Sequence, residues 1–200
     1  MLRLAKCALA KGAPGRGYNP PMTKFTVRPM VRSDLPAVLA VQASCYTEAL
    51  LESEAALASR LALAPATCWV AHDPAQRGTL AAYLFTHAWP DDSLPPLDGR
   101  LDDGWRRHAT PDTLTWFVHD MAVAPAGRGT GLAPRLYAAA QAAAVAAGLG
   151  RSRLIAVQAA APWWRRLGYA PVPAQISARH ADKLATYGAG AVLMERTLAD

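Results

Sequence analysis

Two hundred residues, 52% of them apolar, suffice for one domain with a sizeable core. The net charge of +6 is lopsided: residues 1–22 hold four basic residues and no acid, while the remainder holds 17 basic against 15 acidic residues, which excludes a broad basic face for nucleic acid. No charge-free apolar run of about 18 residues indicates a membrane span, and Cys7, Cys45 and Cys68, odd in number and without a Cys-x-x-Cys, argue against a disulfide framework or a zinc site and for a reducing, cytoplasmic compartment.

Residues 1–22 have no sustained apolar period and contain Gly12, Gly15, Gly17 and Asn19-Pro20-Pro21. They read as a disordered extension, with Met22 an alternative start, and their basic, acid-free composition is also that of a transit peptide. The domain is expected over residues 23–200. Lys24 to Arg28 alternates as a strand. Ser33-Asp34-Leu35-Pro36 reads as a helix start with Ser33 as N-cap, and the helix ends near Tyr46. Ser53 to Leu63 reads as a second helix. Thr67–Ala71 and Thr79–Trp89 read as strands joined by a turn at Asp73-Pro74 and Gly78. Pro90 to Asp112 is a long loop with six aspartates against three arginines, accompanied by Trp105 and His108. Over an active site it would attract a cationic amine and offer aromatic surface, which makes Trp89, His108 and Phe117 the candidate substrate contacts.

Thr115 to Val123 is rich in β-branched and aromatic residues and reads as a central strand. Strict alternation puts Phe117, His119, Met121 and Val123 on one face, and Trp116, Val118, Asp120 and Ala122 on the other. The glycine loop Ala124-Pro-Ala-Gly-Arg-Gly-Thr-Gly131 follows, and then a helix from Leu132 to Ala147. A strand, a glycine turn and a helix start form an anion cradle, because first-turn amides lack partners and the helix dipole favours negative charge there. Gly129 and Gly131 permit positive φ and close approach of a phosphate. The spacing is neither that of a dinucleotide fingerprint nor that of a P-loop. Arg151–Gln158 reads as a strand, Ala160–Leu167 as a short helix, Tyr169–Val172 as a strand start, Pro173–Gly190 as irregular, and Ala191–Leu198 as the last strand.

Two motifs carry a resemblance. Arg128-x-x-Gly131-x-Ala133, after Val123-Ala-Pro125, resembles the acetyl-CoA pyrophosphate loop of the GNAT N-acetyltransferase superfamily. Trp163-Trp-Arg-Arg-Leu-Gly-Tyr169 resembles its aromatic segment, and His119-Asp-Met-Ala-Val123 is similar to the central strand of the arylalkylamine N-acetyltransferases, a likeness of bacterial type. The resemblance implies an α/β fold with a mixed, mostly antiparallel sheet of six to seven strands, splayed at the centre and flanked by about four helices. It implies acetyl-CoA as co-substrate, with no metal. Gly129, Thr130, Gly131, Leu132 and Ala133 would hold the diphosphate with Arg128 beside it. Met121, through its backbone amide, would bind the thioester carbonyl, and Ala122 and Val123 the pantetheine.

His119 is the candidate general base, since an imidazole suits neutral pH and an alkylamine must lose a proton before it attacks. Trp164 stands where many relatives of this kind carry a tyrosine acid, and indole N–H does not give up a proton. It is expected to pack on pantetheine or core, with Tyr169 the candidate substitute. The expected activity is direct acetyl transfer to a primary amine of a small molecule, by a monomer or homodimer. Two alternatives stay open: a peptide N-terminal or lysine acetyltransferase, and a non-catalytic CoA-binding module.

Overall fold

The computed structural model describes residues 24–76, 78–157 and 160–198. The reading of residues 1–22 lies outside them, as does the expected end of the fifth strand at Gln158. Seven strands form one sheet in the order β1-β2-β3-β4-β5-β7-β6. They are β1 (Thr26–Pro29), β2 (Trp69–His72), β3 (Ala82–Pro90), β4 (Leu114–Val123), β5 (Arg151–Ala156), β6 (Ala170–Pro171) and β7 (Val192–Thr197). Every pairing is antiparallel except β4 with β5, which is parallel and joins only Trp116–Val118 to Ser152–Leu154. Beyond Val118 the two strands part, so the mixed, centrally splayed sheet expected from the sequence is present.

Two apolar layers cover the sheet. Trp116, Val118 and Met121 pack with Leu132, Leu136, Tyr137, Trp163 and Trp164, so α3 (Leu132–Ala146) and α4 (Ala161–Arg166) cover the first face. Phe117, Ala122, Tyr83 and Phe85 pack with Leu35, Val38, Leu57 and Leu61, so α1 (Leu35–Cys45) and α2 (Glu54–Leu63) cover the second. α2 starts as expected: the Ser53 side chain accepts from the Ala56 amide at 3.3 Å. α1 does not start on a Ser33 cap. A 3-10 turn, Arg32–Asp34, precedes it, and buried Asp34 is held instead by Arg28 in a two-point bond of 2.7 Å each and by the Val31 amide at 2.9 Å.

The segment 173–190 is not irregular. It forms two short helices, α5 (Ala174–Arg179) and α6 (Ala181–Ala185), whose Ile176 and Leu184 rest on the second layer. Good helix formers build them, but five or six residues are too few for a period of 3.6 to be read.

Candidate active site

The centre of the site is an irregularity in β4. Phe85 pairs with Asp120 and Thr86 with Val118, so His119 is one residue extra on β4, a β-bulge. The bulge reverses the alternation expected along the strand. Val118 and Met121 face the first layer, whereas Phe117, Asp120 and Ala122 face the second. His119 turns to the second face as well, against His87 of β3. His119 and Asp120 are therefore neighbours on one side, and Met121 is on the other.

The bulge sits where β4 and β5 separate. A gap with an empty volume of about 310 Å³ opens there, lined by Val118, His119, Asp120, Met121, Leu154, Ile155 and Trp164. Trp164 is 6% exposed and forms the first-face wall of the gap. Tyr169 does not line it. Its hydroxyl bonds to Ser152 Oγ and lies 3.1 Å from the Tyr137 hydroxyl, and Ser152 pairs with Trp116 at the closed end of the strands. Burial holds Tyr169 well above the usual tyrosine range. The expectation that Tyr169 replaces the tyrosine acid does not fit this placement, because the bonds to Ser152 and Tyr137 point its hydroxyl away.

Behind His119 lies a buried polar array. His119 Nδ1 is 3.3 Å from His87 Nε2, and its Nε2 is 3.2 Å from Glu52 Oε2. That oxygen also accepts from Arg60 Nη2 at 2.5 Å. Asp120 accepts the Tyr46 and Tyr83 hydroxyls at 2.6 Å each, and Tyr46 also reaches Met121 O at 2.8 Å. Burial first, then the Asp120 charge, pushes both tyrosines well above their ordinary range, so both stay protonated donors. Asp120 is thus an anchored anion that fixes the strand end.

A strap covers the array on the second face. Arg60, wholly buried, donates to Pro96 O and Leu97 O at 2.9 Å each and to Gly99 O at 3.2 Å. Ser53 donates from its amide and hydroxyl to Asp98 at 2.8 Å each, and the Tyr187 hydroxyl donates to Pro95 O at 3.4 Å. Residues 95–99 therefore join the start of α2 to the segment before β7. Sequence reasoning missed Glu52, Arg60 and the strap. One signal was present: Arg60 falls on the apolar stripe Ala56, Leu57, Leu61 of α2, where a charge needs a buried partner.

The cradle follows β4 as expected. Gly129 and Gly131 both have φ of +76°, and Gly131 is the N-cap of α3, with no side chain capping the first turn. A Cβ at either glycine would meet no protein atom within 4 Å, so open space lies before the amides of Leu132 and Ala133. Thr130 Oγ1 donates to Gly127 O at 2.7 Å and Arg128 Nε to Val123 O at 3.4 Å, which brings the loop back onto the strand. The donor set and the space suit a diphosphate.

The expected substrate contacts are not brought to the gap. Phe117 is 1% exposed and stacks on His87 with ring centroids 5.8 Å apart. Trp89 pairs with Thr115, about 13 Å along the strand from His119 at 3.3 Å per residue. His108 lines a separate open hollow of about 400 Å³ with Asp91, Asp92 and Trp105. The aspartates of this loop do structural work: Asp91 binds Arg151 at 2.6 Å, Asp98 binds Ser53, and Asp102 accepts the Gly104 amide at 2.9 Å. Among the described residues no cluster of His, Cys, Asp or Glu could hold a metal ion, and no helix is long and apolar enough to cross a membrane.

The sequence matches the Acetyltransferase (GNAT) family over residues 35–169, which runs from the start of α1 to Tyr169 and includes the bulge, the cradle and the tryptophan pair. This chain belongs to the GNAT acetyltransferase family. Acyl transfer from CoA is the reaction class of the family. No curated protein matches the sequence. Similar solved structures include the NatC complex bound to Gag peptide and CoA, at 13% identity over 88% of this chain and 99% of that one, with a TM-score of 0.64. The GphF GNAT-like decarboxylase in complex with isobutyryl-CoA is 19% identical over 87% of this chain and 100% of its own, with a TM-score of 0.61. The ribosomal-protein-S18-alanine N-acetyltransferase from Escherichia coli is 18% identical over 88% and 95%, with a TM-score of 0.55. At such identities these likenesses concern the GNAT fold alone, and one of the three is a decarboxylase, so the reaction of this GNAT chain must be argued from its own site.

Proposed function

We propose that this chain is an N-acetyltransferase that moves the acetyl group of acetyl-CoA directly to a primary amine of a small molecule, with His119 as general base. The observation that carries the reading is the strap: residues 95–99, pinned by Arg60, Ser53 and Tyr187, roof the face on which His119 lies. A roof bridging the start of α2 and the segment before β7 leaves little room for a polypeptide and suits a compact acceptor. The free, buried Cys45 and Cys68 are consistent with a cytoplasmic enzyme, monomeric or homodimeric.

The amides from Gly129 to Ala133 hold the diphosphate, with Arg128 alongside. Met121, through its amide, steadies the oxygen of the thioester as charge develops on it, while Ala122, Val123 and Trp164 line the pantetheine path. An alkylamine of pKa near 10 is about one part in a thousand neutral at pH 7, so His119 takes its proton as it attacks. Trp164 offers no acid, so the thiolate leaves as such and collects a proton from water.

Thiol release from acetyl-CoA tests this over a panel of benzylamine, 2-phenylethylamine, putrescine, a peptide with a free N-terminus and a lysine-bearing peptide. The small amines are expected to be turned over at least about tenfold better in kcat/KM, a difference of about 1.4 kcal/mol. Faster turnover of either peptide would make this a protein acetyltransferase. CoA binding without thiol release from any of the five would make it a non-catalytic module.

A further inference from the structure

Glu52 is aimed with unusual care for a residue between two helices. Its carbonyl accepts from Gln42 Nε2 at 3.0 Å and its amide donates to Gln42 Oε1 at 2.9 Å, so α1 clamps its backbone. Its carboxylate is shared by Arg60 Nη2 at 2.5 Å and His119 Nε2 at 3.2 Å, and the side chains of all three are at most 2% exposed.

The protons around His119 can be counted. Ala88 O only accepts, so His87 Nδ1, 3.1 Å away, carries a hydrogen. Burial first, then the charge of His119, holds His87 well below the usual histidine range; it is neutral, and its Nε2 is a lone pair. His119 Nδ1, facing that lone pair, must donate. Glu52 is ionised beside the permanent cation of Arg60, so His119 Nε2 must donate as well. His119 therefore carries both ring protons. The array then balances, with Arg60 and His119 against Glu52 and Asp120. The other titratable groups that face it are neutral: the Tyr46 and Tyr83 hydroxyls from α1 and β3, and Tyr187 from the segment before β7.

Resting on the acetyl-transfer reading above, we infer that Glu52 is the binding group for the acceptor's ammonium, which takes the place of the second proton on His119. An ammonium beside Glu52 would add a third cation to an array that holds two anions. Balance returns when His119 loses its Nε2 proton to solvent. The emptied Nε2 lone pair then faces an acceptor N–H. As the amine attacks, that N–H bond breaks, the proton goes to Nε2 and the electron pair on nitrogen forms the bond to the thioester carbon. The C–S pair departs with sulfur. A neutral alcohol of the same shape cannot drive this exchange, so the array selects amines.

Calorimetry on the wild-type enzyme saturated with CoA tests the exchange. Benzylamine is titrated at pH 7 in phosphate and in Tris, whose ionisation heats differ. About one proton should be released per amine bound, and benzyl alcohol should release none. In steady-state assays Glu52→Gln should raise the KM for benzylamine about 30-fold and move the acid limb of kcat/KM to lower pH, with the KM for acetyl-CoA unchanged. Glu52→Asp should recover part of both. Benzylamine bound with no net proton release, or Glu52→Gln with the wild-type amine KM and pH profile, would overturn the inference. The calorimetric arm needs no variant, so it stands if Glu52→Gln does not fold. Absence of thiol release by the wild type with every amine of the panel is a different result: it removes the acetyl-transfer reading, and this inference with it.

Discussion

His119 touches Glu52 on one side and His87 on the other, so its replacement removes a base and unhooks a buried array. His119→Ala is expected to lower kcat by about 10²- to 10⁴-fold, most at low pH, where fewer amines are already neutral. A pH–rate profile of unchanged shape in that variant would remove the base. His87 gives a second pH effect, on stability. Its folded form resists protonation, so below about pH 6.5 the unfolded chain binds the proton that the folded chain refuses, and stability falls as pH falls. Thermal midpoints should drop from pH 7 to pH 5, by at most about 1.4 kcal/mol of stability per pH unit for this group, and His87→Gln should flatten that slope. Arg60→Met strands Glu52 without its guanidinium and leaves three strap carbonyls without their donor, and should cost about 3–5 kcal/mol by denaturant titration. The double variant Glu52→Gln/Arg60→Met should cost less than Arg60→Met alone, since no buried carboxylate then lacks its cation. His119 was legible in the sequence because it precedes a glycine loop on a plain strand. Glu52 was not, because its value depends on Arg60, His119 and Gln42, which meet it only in the fold.

Among the elements, β4 departed furthest from its sequence reading. Its existence and limits follow from β-branched and aromatic residues, but period two cannot register an extra residue. A bulge is set by the partner strand, and nothing between Phe117 and Val123 announces it. The cradle was legible because its glycines are needed for local reasons. Gly129 and Gly131 take positive φ, while Gly127 is required by crowding: a Cβ there would lie 2.9 Å from Ala81 O and 3.0 Å from Leu132 Cδ1. The Ala81 carbonyl already accepts the Ala124 amide at 2.8 Å and cannot yield. Gly127→Val should therefore destabilise the fold by about 1–3 kcal/mol in chemical denaturation and pull the loop off β4. The strap was read only as a long acidic loop, since its role rests on backbone carbonyls, which carry no sequence signature.

At the scale of the molecule, one parting of strands organises everything else. β4 and β5 pair over three residues each and then diverge; the bulge places His119 at the fork, Trp164 closes the first side, and the cradle lies one strand-length onward. The order of elements made this architecture legible, and the match over residues 35–169 bears it out. The acceptor side was not legible, because segments far apart in sequence, Glu52–Arg60, residues 95–99 and Tyr187, build it together. The proposed chemistry depends on whether the cradle holds the nucleotide whose sulfur must reach this fork. Calorimetric titration of CoA into the wild type and into Gly131→Val tests this most directly. The valine Cβ meets no protein atom within 4 Å, yet it would stand before the first-turn amides of α3. One-site binding by the wild type, weakened at least about tenfold in the variant, is the predicted result. No heat from the wild type, or equal affinity in the two proteins, would contradict it.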